Sequence, residues 1–179
     1  MTVKRINDWA IPYVKNFRTY IDIGAHNGDT SIPFIGYFKH ICAFEPNPQT
    51  NIHIPKPIEV HDCALGNKET EVVLIIPDNN KNDPRHGSTA RFTEGSRKYL
   101  VQQKTLDSFN FNNVDFIKID VEGSELEVLQ GSVETIKRCK PVIMFESKNN
   151  KEAQRVLDFI ADLSYNIKKY KGETVAYYE

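Results

Sequence analysis

The stretch YIDIGAHNGDTS, residues 20–31, decides how the rest of the chain is read. An apolar β-branched run ends at Gly24, a tight turn follows, and the spacing predicts a helix from about residue 28. A strand–glycine–helix turn offers free backbone N–H groups and close approach to a bound group, so it suits a nucleotide-type cofactor. A dinucleotide turn carries GxGxxG, whereas here the glycines are Gly24 and Gly28, with His26 in the middle glycine's place.

Outward from that turn, strands are expected at about 19–24, 40–45, 58–62, 114–120 and 141–146, several apolar on both faces as in a covered parallel sheet. Helices are expected at about 28–38, 123–137 and 150–163, with Ser124 as a cap of the second and a short lead-in helix over 6–16. Residues 71–76 and 99–106 read as strands flanking an irregular stretch, 77–98. At the end, 165–170 and 174–178 around Lys171-Gly172-Glu173 read as an antiparallel hairpin closing the sheet.

With 179 residues, the chain is expected to form a single domain, 1–179, with 77–98 as an inserted substrate loop. A formal charge of −1 gives no basis for nonspecific nucleic-acid or lipid binding, and no apolar run reaches a membrane span. Three cysteines (42, 63 and 139) lie in or beside apolar segments without a CxxC pair, as in a reducing, cytoplasmic compartment.

Carboxylates follow the strands. Glu45 ends ICAFE, where it can accept from a ribose diol. Asp62 ends the third strand, where it can accept from an adenine amine, with the N–H groups of Cys63 and Ala64 beside a ring nitrogen. Asp22 places a negative charge in the turn strand, which repels phosphate and suits an ammonium or sulfonium. Adenine, ribose, a cation and an amino-acid end are the parts of S-adenosylmethionine. The turn (Asp22, Gly24, Ala25, His26, Asn27, Gly28), with Glu45, Asp62, Cys63, Ala64 and Asp120, is therefore the expected cofactor site. An NAD-dependent oxidoreductase, or a binding module that transfers nothing, are the alternatives.

In KIDVEGSE, Asp120 ends the fourth parallel strand and Glu122 lies in the turn beyond it. Methyl transfer needs an acceptor held in line with the donor's methyl, and an acceptor that carries a proton also needs a base for it. Glu122 is the expected base and Asp120 its electrostatic partner, with His26 and His86 as alternative bases; the bland alternative is that both acids cap the next helix. Acids of this kind also suit a divalent metal, although nothing in the sequence demands one. In the 77–98 loop, Arg85 and Arg91 are candidates to clamp an anionic group on the acceptor, with His86 and Ser88 beside them.

YIDIGAHNGDTS, AFEPNPQ, CALGNKE, KTLDSF, FIKIDVEGSELEVLQGS and KPVIMFE stand in the order of the FkbM-type methyltransferases, and the chain resembles that family across about 20–146. The resemblance implies an α/β class I methyltransferase (Rossmann-like) three-layer sandwich: a mostly parallel seven-stranded sheet with an antiparallel last strand. It also implies S-adenosylmethionine as donor and, as acceptor, a hydroxyl of a sugar or other small molecule. By position it assigns Asp22, Gly24 and Gly28 to the donor's methionine end, Glu45 to the ribose and Asp62 to the adenine. The segment NPQTNIHIPKP leaves little room for the usual helix, so one face of the sheet is expected to be thin. A site with no cap of its own leaves room for a homodimer.

Overall fold

A computed structural model describes residues 1–76, 97–146 and 151–178. Its main sheet has seven strands in the order β3-β2-β1-β7-β8-β10-β9. These are β1 (Thr19–Ile23), β2 (His40–Phe44), β3 (Glu59–His61), β7 (Val114–Ile119), β8 (Val142–Glu146), β9 (Asn166–Tyr170) and β10 (Glu173–Tyr177). All neighbours run parallel except β10, which is antiparallel to β8 and to β9. The expected antiparallel last strand is present, joined to β9 through Lys171 and Gly172, whose φ of +82° a side chain would resist.

The two faces of the sheet are covered differently. Ile21, Ile23, Phe44, Ile117, Ile143 and Phe145 pack under the helices α2 (Glu125–Gln130), α3 (Val133–Cys139) and α4 (Lys151–Asp162). The opposite face, with Tyr20, Ala43, Phe116, Met144 and Val175, lies under short helical turns and loops contributing Ile6, Ala10, Phe34, Phe38, Ile54 and Ile58. The lead-in helix is a chain of such turns: α1 (Val3–Arg5), a π turn over Ile6–Ala10 and a 3₁₀ turn over Ile11–Tyr13. Aromatic rings fill the space that helices would occupy. Tyr20 meets Phe116 at 4.9 Å and Phe38 at 5.5 Å between centroids, and each such ring removes roughly 150–250 Å² from water.

The expected helix over 28–38 is absent; only Ile32–Phe34 forms a 3₁₀ turn. Gly28 and Gly36 sit at φ +83° and +89°, outside the helical region, and Pro33 between them lacks a donor. Between β2 and β3 the chain likewise makes only a 3₁₀ turn, Asn51–His53, as the short segment implied.

The helix expected over 123–137 is two helices, broken at Gly131-Ser132. A Cβ on Gly131 would stand 1.9 Å from the Gly66 carbonyl oxygen, so backbone packs on backbone there. The Asp107 carboxylate then caps α3 from a distant segment, accepting from Glu134 N at 3.0 Å and Thr135 N at 2.7 Å. Ser124 precedes α2 but its side chain makes no capping bond.

A second sheet, β4-β6-β5, comprises β4 (Ala64–Leu65), β5 (Thr70–Ile76) and β6 (Arg97–Lys104). Arg97 and Lys98, read as loop, therefore open a strand, and β4 was not foreseen. Cys42 and Cys63 are buried free thiols as expected, whereas Cys139 is half-buried. No helix among the described residues is long and apolar enough to cross a membrane.

Candidate active site

Parallel strands collect their carboxyl ends at one edge, and here nearly every end carries an acid: Glu45 after β2, Asp62 after β3, Asp120 after β7 and Glu146 closing β8. β1 lies between β2 and β7, the point where strand order reverses and open α/β sheets bind ligands.

The β1 turn is held by its neighbours. Gly24 N and Ala25 N donate to the Phe44 carbonyl at 2.9 and 3.2 Å, and Asp120 N donates to the Ile23 carbonyl at 3.0 Å. A Cβ on Gly24, at φ +74°, would stand 2.1 Å from the Asp120 carbonyl oxygen. This glycine is thus required by the close approach of two strand ends. His26 is exposed with φ +54°, a left-handed conformation costly for a side chain. Its N–H donates to Glu45 Oε2 at 2.8 Å, while Asn47 N donates to Glu45 Oε1 at 2.8 Å. Glu45 therefore ties the turn to the loop after β2, and each oxygen keeps one lone pair for a ligand hydroxyl. Asn27 Oδ1 is buried in the same turn with no hydrogen-bond partner among the described residues.

Asp22 differs from its expected role. It is fully buried, and its register partner across β1 and β7 is Lys118, whose Nζ lies 2.7 Å from Asp22 Oδ1. Asp22 Oδ2 also accepts from Thr30 Oγ1 at 2.9 Å and from the Ser31 hydroxyl. Its charge is neutralised beneath the turn, so it positions the site instead of facing a cationic ligand. Lys118 Nζ further donates to the Gly24 carbonyl at 3.0 Å and stands 3.8 Å from Asp120 Oδ2. Lys118, Thr30 and Ser31 were missed in the sequence. The available signal was a lysine inside the otherwise apolar VDFIKI, since a lysine in a covered strand requires a buried counter-charge.

At the third strand's end, Asp62 is exposed, Cys63 is buried and Ala64 opens β4. Preceding them, the His61 ring stacks on Phe44 at 4.6 Å, and burial pushes its pKa down.

Asp120, Glu122 and Glu146 converge, with one carboxylate oxygen of each within 4.8 Å of the others. Glu146 completes this group and was not singled out in the sequence. Glu122 has φ +55° and the following Gly123 φ +111°. A non-glycine residue held there costs about 1–3 kcal/mol, and such strain concentrates at functional sites. Gly123 N donates to Glu125 Oε1 at 3.2 Å, which ties this turn to the first residue of α2. Asp120 Oδ2 also lies 3.3 Å from the Met1 amino group. A cleft of about 220 Å³ opens beside this group, lined by Glu122, Glu146, Glu152 and Arg155 among others. Arg85, His86, Ser88 and Arg91 lie outside the described residues.

The profile of the methyltransferase FkbM domain matches residues 22–167. The chain belongs to that family. "Methyltransferase 1" of Beauveria bassiana is 27% identical over 119 residues, covering 51% of this chain and 48% of that protein. The FkbM methyltransferase crystal structure from Methylobacillus flagellatus KT superposes with a TM-score of 0.60 at 19% identity, covering 90% of this chain and 43% of that one. An rRNA methylase from Streptococcus thermophilus reaches 0.58 at 11% identity, covering 99% and 96%. The class I methyltransferase fold expected from the motifs is therefore present, and the FkbM assignment replaces the dinucleotide alternative. This FkbM-family chain spans about half the length of the curated relative it matches.

Proposed function

We propose that this chain binds S-adenosylmethionine at the carboxyl edge around β1, β2 and β3 and transfers its methyl group to a hydroxyl oxygen of a carbohydrate or glycosylated small molecule. The residues fit the donor on three counts. Glu45 keeps acceptor capacity beside the turn, Asn27 Oδ1 is buried without a hydrogen-bond partner among the described residues, and Asp62 is exposed where an adenine amine would be met. When bound, the donor supplies an electrophilic methyl on a positively charged sulfur.

Each residue then has a defined task. Glu45 accepts from the ribose hydroxyls, Asp62 and the N–H groups of Cys63 and Ala64 meet the adenine, and Asp120 faces the amino-acid end. Lys118 and Asp22 hold the Gly24 carbonyl and Asp120 in register from below. Glu122 orients the acceptor hydroxyl and takes its proton as the oxygen gains the methyl. The observation that carries this reading is the convergence of Asp120, Glu122 and Glu146 at the strand ends with Glu122 in a strained backbone conformation. The acid-rich cleft supports a hydroxyl-rich acceptor, because carboxylates accept well from sugar hydroxyls and repel anions.

Incubation with donor and a panel of free sugars, glycosides and nucleotide sugars, with small amines and carboxylic acids alongside, tests the acceptor class. A product heavier by one methylene on a hydroxyl, absent with Glu122→Gln, is expected; methylation of nitrogen or carboxylate acceptors alone would overturn it.

The ribose assignment has its own test. Glu45→Gln is expected to weaken S-adenosylhomocysteine binding about 10–100-fold in calorimetric titration, since a charge-assisted hydrogen bond contributes about 1.5–3 kcal/mol. Unchanged affinity in a stably folded variant would make Glu45 a loop tie alone.

A further inference from the structure

Away from the carboxyl-edge acids, three side chains of different chemistry meet on the outer strands of the sheet. Cys42 on β2 and Glu59 on β3 are direct register partners, and His61 follows two residues beyond Glu59, so all three project from one face. Their sulfur, carboxylate oxygen and ring nitrogen lie within 4.8 Å of one another. Cys42 Sγ stands 3.8 Å from Glu59 Oε2, and His61 Nε2 stands 3.3 Å from Glu59 Oε1. Among the described residues, His61 Nε2 is shielded from solvent and makes no hydrogen bond, its approach to Glu59 Oε1 meeting the ion-pair distance alone. Its ring is held flat against Phe44 and edge-on to Phe109, which fixes where that nitrogen points. A core histidine normally satisfies its buried nitrogens; this one is oriented, makes no hydrogen bond at Nε2 and is set beside a thiol and a carboxylate.

We propose that Cys42 Sγ, Glu59 carboxylate and His61 Nε2 form a zinc(II) site with its fourth position open to water. A sulfur, an imidazole nitrogen and a carboxylate oxygen are zinc's usual ligand types, and the thiolate disfavours magnesium or calcium. Zinc bonds of about 2.0–2.3 Å in a tetrahedron set neighbouring ligand atoms about 3.3–3.6 Å apart. The 3.3 Å from His61 Nε2 to Glu59 Oε1 lies on that scale, and the 3.8 Å from Cys42 Sγ to Glu59 Oε2 lies just beyond it. Charge balances as well: thiolate and carboxylate against a dication make a neutral site on a half-buried face. Zinc replaces the Cys42 thiol proton, which leaves to solvent. Glu59 is exposed, so the ion has an entry path. β3 is a three-residue edge strand paired to β2, and two of its residues supply ligands, so the metal clamps the weakest strand to the sheet.

The test is titration of chelator-stripped protein with cobalt(II), then displacement by zinc against a chromophoric chelator. One equivalent should bind, with a thiolate-to-cobalt charge-transfer band and tetrahedral d–d bands, retained in Cys139→Ser and lost in Cys42→Ser. Glu59→Gln, a change at an exposed side chain, should weaken zinc by at least the ~10–100-fold that loss of an outer-shell partner costs, even if Cys42→Ser fails to fold. Absence of stoichiometric binding, or equal affinity in Cys42→Ser or Glu59→Gln, would overturn the proposal and place any bound metal on other histidines such as exposed His40.

Discussion

Lys118→Met is expected to lower unfolding stability by about 3–5 kcal/mol, the usual cost of removing one partner from a buried ion pair. Asp22 is then left fully buried with its negative charge uncompensated, although Thr30 and Ser31 still donate to it. Methionine keeps most of the volume, so the loss reports charge and hydrogen bonding more than packing. The double variant Asp22→Asn/Lys118→Met should recover much of the loss, because replacing both partners removes the stranded charge. Urea denaturation of the two single variants and the double variant measures the coupling. A loss below about 1 kcal/mol for Lys118→Met would mean that the pair does not hold the turn. The consequence for ligand binding follows from the same contacts. Lys118 also donates to the Gly24 carbonyl and stands near Asp120, so any folded Lys118 variant should bind S-adenosylhomocysteine more weakly.

Glu122→Gln is expected to lower kcat by about 10²–10⁴-fold while leaving S-adenosylhomocysteine affinity within about twofold. Glutamine keeps the shape but cannot take the hydroxyl proton. A companion variant separates catalysis from structure: Glu122→Gly relieves the left-handed backbone at φ +55°, so it should lose activity without losing stability. Activity retained in Glu122→Gln would assign the base elsewhere. Donor binding without turnover in the wild type across the acceptor panel would instead favour a binding module.

Much of this architecture was legible because strand signals are local. TYIDI, HICAF, VDFIKI and VIMFE are apolar on both faces, and each forms a parallel strand with nearly the expected bounds. The Lys171-Gly172 turn likewise announced the final hairpin. Helices were read less well, and the reason is tertiary. The GDTSIPFIGYF segment has helical spacing of apolar residues, but two glycines in left-handed conformation and a proline prevent the helix. SELEVLQGSVETIK has continuous periodicity, yet Gly131 packs on the Gly66 backbone and a new helix, capped by Asp107, begins two residues later.

The candidate site divides along the same line. Strand-end acids could be placed from sequence because strand ends are fixed by topology, and Glu45, Asp120 and Glu122 stand at the edge foreseen for them. Asp22 could not be placed, because its counter-charge comes from a strand 96 residues away in the chain. Glu146 and the Cys42–Glu59–His61 group depend on cross-strand register in the same way, and register is not visible in one strand's sequence.

The central claim is that the β1 turn holds a methyl donor. Calorimetric titration of the purified chain with S-adenosylhomocysteine, with NAD run alongside, tests it most directly. Micromolar, one-to-one binding of S-adenosylhomocysteine with none of NAD is the expected result. No binding of S-adenosylhomocysteine to a folded chain, with or without added zinc and magnesium, would contradict it.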